Sequence, residues 1–320
     1  MSQVAAAEVS EMRSVFFGTP AIAVPSLHAL REVSDVVGVV CQPDRPAGRG
    51  MKQKPPAVKL AAAELGLEVH QPVKVKTGTL HEWLRDRRVE VAVVLAYGRI
   101  LPPAVLQAPR HGCLNLHASL LPRYRGAAPI NWALIRGETR TGISLMQMDE
   151  GLDTGPVYCQ RELDISEEET AGELTERLAE LAAEVVRRDL SRALSGELVA
   201  TPQDEALATY APPIAPEDAR IDWNAPAPAI VNLVRGLAPS PGAYTTIAGK
   251  RVRVLALRSV EGAPSSAPGT IGVLPHHRLV VSTADGIVEI VAAQLQGRRV
   301  GSGRDLLNGR VLRPGEVLGG

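Results

Sequence analysis

Residues 14–30 read Ser14-Val-Phe-Phe-Gly-Thr-Pro-Ala-Ile-Ala-Val-Pro-Ser-Leu-His-Ala-Leu30. Ser14–Phe17 is a short β-prone run, Gly18-Thr19-Pro20 is a turn, and apolar positions from Ala21 to Leu30 recur at helical spacing. Strand, turn, helix is the unit from which parallel sheets are built. The unit repeats outward along the chain. Val36–Cys41 is a Val-rich run too short for a helix, and Ala57–Leu65 is helical after a polar Pro/Gly/basic stretch, Gln42–Pro56. Val89–Ala96 and Cys113–His117 are further buried-strand runs, because a strand covered on both faces loses the polar alternation of an exposed one. The first ~150 residues therefore predict an α/β fold, Rossmann-like, with a parallel sheet and right-handed crossovers.

Gly142–Met148 and Val157–Leu163 add two strands, and a helix starting at Thr170 carries Leu174, Leu178, Leu181, Val185 and Leu190 on one face. Tyr210–Pro216, rich in proline, reads as a linker. Beyond it, one helix (Ala229–Leu237) precedes short β runs at Ala243–Ile247, Arg251–Leu257, Gly269–Val273, Leu279–Thr283 and Gly286–Gln294, the pattern of a small β-barrel. At 320 residues two domains are expected. The boundaries read as a disordered extension over 1–11, a domain over 12–207 and a barrel over 208–320.

Lys plus Arg equals Asp plus Glu at 35 each, so total charge names no partner. Ala208–Gly320 holds 12 Lys/Arg against 8 Asp/Glu, and the rest 23 against 27, a mild basic bias that fits a polyanion. Cys41, Cys113 and Cys159 are odd in number and far apart, with no CxxC pair, so neither a disulfide framework nor a thiolate metal site is expected. That cysteine usage fits a reducing cytoplasm, which is the expected location; no apolar run approaches membrane-spanning length, and the N-terminus reads as a short extension rather than a signal peptide.

A parallel sheet gathers its reactive groups at the C-terminal ends of its strands. Cys113–His117 ends in Asn115-Leu-His117, two residues apart and so on one side of the strand. An amide beside an imidazole can hold a developing oxyanion and move protons. Read singly, His117 and Asn115 are also a strand cap and a turn residue. Asp153, bracketed by Gly151 and Gly155, is equally ordinary turn chemistry on its own. Gly297-Arg-Arg-Val-Gly-Ser-Gly303 lacks the Lys-Ser/Thr of a nucleotide loop and leads into a helix at Ser302–Leu307. Phe17-Gly-Thr-Pro20 has one glycine where a dinucleotide site has three, so NAD is not expected. His28, His70, His81, His111, His276 and His277 lack partners at ligand spacing, and no metal is expected.

Taken together, Asn115, His117 and Asp153 resemble the Asn-x-His and Asp pattern of the folate-dependent formyltransferases. His117-Ala-Ser-Leu-Leu-Pro-Arg-Tyr-Arg-Gly-Ala-Ala-Pro-Ile130 and Met146-Gln-Met-Asp-Glu-Gly-Leu-Asp-Thr-Gly155 are similar to two motif blocks of the methionyl-tRNA formyltransferases. Phe17–Pro20 and Ala96-Tyr-Gly-Arg-Ile-Leu-Pro102 extend the resemblance, which runs from about residue 12 to the C-terminus. It implies a formyltransferase domain followed by an OB-like barrel that packs on tRNA. It also implies formyl transfer from 10-formyltetrahydrofolate to methionyl-initiator tRNA by a monomer that needs no metal.

The resemblance assigns Asn115, His117 and Asp153 to catalysis and Ser119, Leu120, Leu121 and Pro122 to the folate site. It also matches the basic loop Pro43–Lys54 to a tRNA-contacting loop, with Arg45, Arg49, Lys52 and Lys54 as the contacts. Its Gly and Pro content argues for a mobile excursion. Arg251, Arg253, Arg298 and Arg299 are further candidate phosphate contacts. Ser240 stands where the family usually has an aromatic, so no stacking role is expected there. Three other readings remain at this point. A glycinamide ribonucleotide formyltransferase should end near residue ~200. A formyltransferase acting on an amino-sugar nucleotide should lack the basic loop. A non-catalytic RNA-binding protein should lack the Asn, His and Asp.

Overall fold

The computed structural model describes residues 11–47, 52–264 and 266–319. The expected N-terminal extension, apart from Glu11, lies outside them. Two compact units emerge: one from Met1–Ala127, Arg140–Asp164 and Thr175–Ala211, the other from Ala128–Thr139, Ile165–Leu174 and Pro212–Gly320.

In chain order the first half runs β1 (Arg13–Gly18), α1 (Val24–Val33), β2 (Asp35–Val40), a hairpin of β3 (Arg45–Ala47) and β4 (Lys52–Lys54), then α2 (Ala57–Glu64). There follow β5 (Val69–His70), α3 (Leu80–Asp86), β6 (Val91–Leu95), α4 (Pro103–Leu106), β7 (Cys113–His117), β8 (Arg125–Gly126) and α5 (Pro129–Ile135). After these come β9 (Arg140–Gln147), β10 (Val157–Asp164), α6 (Ala171–Leu194) and β11 (Tyr210–Ala211). Seven strands form one sheet in the order β10-β9-β7-β6-β1-β2-β5. The five from β7 to β5 are parallel, as their sequence predicts.

The two further strands, β9 and β10, whose direction the sequence leaves open, extend this sheet with mixed polarity. β9 lies antiparallel to β7, with His117 opposite Ser144, and β10 antiparallel to β9. The helix between β7 and β9, α5, belongs to the second unit and does not carry the chain back along this sheet. The chain returns from the end it left, and antiparallel pairing follows. The loop expected as a mobile excursion, Pro43–Lys54, contains the β3–β4 hairpin. Tyr210–Ala211, at the start of the expected linker, pairs in parallel with Arg125–Gly126.

β6 and β7 sit in the middle of the sheet and every residue of both is buried, which is why their sequences do not alternate. On one face of β7, Cys113 joins an apolar cluster with Phe17, Ala92, Val94, Val105 and Leu106. Period-2 alternation puts Asn115 and His117 on that same face, further along, so the face turns polar at its C-terminal end. α6 is long and starts at a capping box, in which the Thr170 N–H donates to Glu173 Oε2 at 2.9 Å. Leu174, Leu178, Val185 and Leu190 on its apolar stripe are buried, while Leu181 is half-buried.

The second unit holds α7 (Ala227–Leu237) and an antiparallel sheet of β12 (Ala243–Ile247), β13 (Lys250–Val260), β14 (Ile271–Leu274), β15 (Arg278–Ser282), β16 (Ile287–Leu295) and β17 (Gly301–Ser302). α8 (Gly303–Asn308) starts at the Ser302–Asp305 capping box. A core of its own, including Trp223, Ile230, Val234, Leu237, Val254 and Ile290, fills this small β domain. Among the described residues no helix is long and apolar enough to cross a membrane.

Candidate active site

His117 is the last residue of β7, and its ring is fixed on two sides. Nε2 lies 2.9 Å from the carbonyl oxygen of Tyr124. A carbonyl can only accept, so Nε2 carries the proton and donates it. Nδ1 faces Asp153 Oδ2 at 3.6 Å, too long for a direct hydrogen bond but close enough to become an ion pair when Nδ1 holds a proton. Both side chains are nearly enclosed, 6% and 16% exposed, so water screens this pair little.

Asp153 reaches that place through an unusual backbone. Its φ is +55°, in the left-handed region that Asp enters more readily than most residues. The turn leading to it is braced by Asp149, which accepts from the Gly151 N–H at 3.0 Å and the Thr154 hydroxyl at 2.8 Å. Asp153 Oδ2 itself accepts from the Gly126 N–H at 2.8 Å. Gly126 has φ +117°, and a Cβ there would sit 2.8 Å from the Ala211 carbonyl oxygen, so only glycine puts an N–H at this spot.

Asn115 is 8% exposed. Its carboxamide has no hydrogen-bond partner among the described residues, while the amides of Gln42, Gln71, Gln147, Gln160 and Gln203 are all engaged. The amide atoms of Asn115 are not sealed in the core, so on the same face as the candidate His117 the amide can donate to a bound group. Asn115, His117 and Asp153 thus share one end of the sheet, His117 with Asp153 by contact and Asn115 by strand register.

The loop after β7 is anchored from below. Ser144 on β9 donates to the Ser119 carbonyl at 2.6 Å and accepts from the Leu121 N–H at 3.1 Å. Gln160 on β10 donates to the Leu121 carbonyl at 2.8 Å and to Ser144 Oγ at 2.9 Å. Ser119 and Leu121 are consequently buried, while Leu120 and Pro122 remain half-exposed. Of the four candidate folate residues, two face inward and two present apolar surface.

Of the candidate tRNA contacts, Arg45 and Lys54 are exposed on the β3–β4 hairpin, which leaves the C-terminal end of β2. Arg45 donates to Gln42 Oε1. Lys52 lies in β4, and Arg49 lies outside the described residues. The acid of this loop, Asp44, does not oppose them. Gln71 and Lys59 both donate to it at 2.8 Å and hold its carboxyl below the usual carboxylate range. Arg298 and Arg299 are exposed, Arg251 stacks 3.7 Å above the Tyr244 ring, and Arg253 is turned to the Pro239 carbonyl.

Sequence reading did not single out Arg125, Ser144, Gln160 or Gln203, all of which fix this site. Arg125 is wholly buried and pairs with Glu205 at 2.7 Å, an exposed carboxylate whose acidity the guanidinium strengthens. Among the described residues there is no cluster of metal-ligating side chains.

Comparison with known proteins gives this geometry its family. Residues 12–190 match the family model described as formyl transferase, and residues 213–311 match the formyl transferase C-terminal domain. The methionyl-tRNA formyltransferase of Sorangium cellulosum (strain So ce56) is 55% identical over 96% of this chain and all of its own. That of Geobacter metallireducens (strain ATCC 53774 / DSM 7210 / GS-15) is 46% identical over 95% of this chain and 98% of its own. Among solved structures, HypX from Aquifex aeolicus in complex with tetrahydrofolic acid shares the fold, with a TM-score of 0.63 at 20% identity. That alignment covers 93% of this chain and 47% of HypX. The chain belongs to the formyl transferase family, on the branch formed by the methionyl-tRNA formyltransferases.

Proposed function

We propose that this protein transfers the formyl group of 10-formyltetrahydrofolate to the free amino group of methionyl-initiator tRNA. The reading rests on near-full-length likeness to the methionyl-tRNA formyltransferases. The observation that carries the chemistry is the Asn115 amide, without a protein partner among the described residues, on the same strand face as a histidine whose Nε2 proton is already committed. Residues 12–207 serve in this reading as the catalytic domain and 208–320 as the tRNA-binding domain.

The folate supplies a formyl group on nitrogen. A bond forms between the methionyl nitrogen and the formyl carbon, and the bond from that carbon to the folate nitrogen breaks. Asn115 donates to the formyl oxygen as negative charge builds on it, a contribution of roughly 2.7–4 kcal/mol for one well-placed donor. His117 exchanges the proton through Nδ1, since Nε2 is occupied by the Tyr124 carbonyl. It takes the proton from the incoming amine and returns it to the leaving nitrogen, so the enzyme ends unchanged. Asp153, on the Nδ1 side, stabilises the imidazolium while the proton is held there. Ser119–Pro122 bind the folate, with Leu120 and Pro122 offering apolar surface to the flat ring and the anchored Ser119 and Leu121 keeping that surface in place. Arg45, Arg49, Lys52 and Lys54 contact tRNA phosphates, which positions the acceptor without reading its sequence.

The test is to supply 10-formyltetrahydrofolate together with methionyl-tRNA, glycinamide ribonucleotide or an amino-sugar nucleotide in separate reactions. Formylation of methionyl-tRNA is expected. Turnover with either of the other acceptors and none with methionyl-tRNA would overturn the assignment.

A further inference from the structure

His117 is held between the Tyr124 carbonyl and the Asp153 carboxylate, and one segment downstream, Gln203–Ala211, sets the position of both. Gln203, 50 residues beyond Asp153, donates through Nε2 to the Asp153 carbonyl at 2.8 Å and to the Gly155 carbonyl at 2.7 Å. Its Oε1 accepts from Arg125 Nε at 3.0 Å and Nη2 at 2.8 Å. Both N–H groups and both lone pairs of the amide are thus used, and only one orientation satisfies them. Nη2 also donates to Glu205 at 2.7 Å, and Nη1 donates to the same carboxylate at 2.9 Å.

The backbone repeats the arrangement. The N–H groups of Arg125 and Ala127 donate to the carbonyls of Thr209 and Ala211, at 2.8 and 2.9 Å. Successive N–H groups of an extended strand point to opposite sides. Gly126, between them, therefore faces the other way and donates to Asp153 Oδ2. Thr209 also receives the Tyr124 N–H on its hydroxyl at 2.9 Å, which fixes the residue whose carbonyl holds His117.

We propose that Gln203 is a positioning residue for formyl transfer. Together with Arg125 it fixes the main chain of Asp153 in its left-handed turn, and so fixes the distance from the Asp153 carboxylate to His117 Nδ1. The proposal rests on the role given to Asp153 above. It assigns Gln203 no contact with either substrate.

The experiment is a double-mutant cycle read in steady-state kinetics. Gln203→Ala and Gln203→Glu are each made in the native protein and in Asp153→Asn. Gln203→Glu keeps shape and the acceptor for Arg125 but leaves at least one of the two carbonyls without a donor, and it carries the test if the alanine variant fails to fold. In the native background each substitution is expected to lower kcat by about 10- to 100-fold, the scale on which small misplacements act, with KM for both substrates within about twofold. In Asp153→Asn the same substitutions should cost less than about threefold, because residues acting as one unit are not additive.

Equal losses in both backgrounds would show a general structural role and overturn the proposal. So would a loss confined to KM, or an unchanged kcat. If Asp153→Asn alone leaves kcat unaltered, the assignment of Asp153 itself has failed, and that outcome is separable from the others.

Discussion

Replacing Asn115 by alanine should separate catalysis from stability more cleanly than any other substitution in this chain. The reason is in its hydrogen bonding. Truncating a buried polar side chain usually costs about 1–3 kcal/mol because its partner is left unsatisfied. The Asn115 carboxamide has no partner among the described residues, so its removal orphans nothing in the protein. What remains is the loss of a small group at 8% exposure, offset by removal of an amide to which the described residues offer no partner. The two nearly cancel, and stability should change by less than about 1 kcal/mol, a shift in Tm of no more than about 4 °C. Formyl transfer loses its oxyanion donor outright. That costs about 10²- to 10³-fold in kcat. The assay pairs formylation of methionyl-tRNA at saturating substrates with thermal unfolding of the same samples. A fall in kcat of less than threefold would refute the assignment of Asn115. A destabilisation above about 2 kcal/mol would show that the amide serves the fold.

Three further outcomes follow from the same geometry. Glu205 is held below its ordinary value of 4.5 by its hydrogen bonds from Arg125, so its contribution to stability is present above that pH and is lost as pH falls through the depressed value; thermal unfolding of Glu205→Gln between pH 6 and pH 3 should therefore show a shallower acid loss than the native protein, and an identical slope would contradict the pairing. Removing the four charges at Arg45, Arg49, Lys52 and Lys54 should reduce the slope of log affinity for tRNA against log salt by about three, measured by binding titrations, and an unchanged slope would remove the loop from the tRNA interface. Burial pushes the thiols of Cys41 and Cys159 up to about 11 and that of Cys113 up to about 12, so an alkylating reagent at pH 8 should label the native protein far more slowly than the unfolded chain and leave formylation intact; rapid loss of activity would contradict this.

The strands were legible because burial on both faces leaves a simple mark. Val91–Leu95 and Cys113–His117 have no room for polar residues until the sheet ends, and at that end Asn115 and His117 break the pattern visibly. The direction of β9 was not legible. Its own residues, Arg140–Gln147, suit either polarity, and the choice is made by where the chain re-enters the sheet after residues 118–139, information carried by no local pattern. The β3–β4 hairpin was hidden for a related reason. Proline and glycine in 43–50 argue against regular structure residue by residue, yet Pro46 sits in a two-stranded ribbon of three residues a side, where one missing N–H is tolerated.

The site divides along the same line. Formyl transfer restricts residue type at the reacting atoms: a donor for oxygen, a group that carries a proton at neutral pH, and an anion behind it. Few side chains qualify, so Asn115, His117 and Asp153, each ordinary when read singly, become candidates once their pattern is set beside that of the formyltransferases. Holding those groups in place restricts geometry instead, and geometry can be met by many residue types. Gln203 could be recognised only from its two carbonyl partners at 153 and 155 and its guanidinium partner at 125, none of them near it in the chain. The buried Arg125 illustrates the difference within one motif, since it lies inside the very string that identifies the family. Sequence reading assigns it no role there, yet at zero side-chain exposure it is neutralised by Glu205 and bound to Gln203. A cation taken wholly out of water must have such partners. Those partners lie at 203 and 205, near the end of the stretch assigned to the first domain, where no local pattern points to a buried guanidinium 80 residues away.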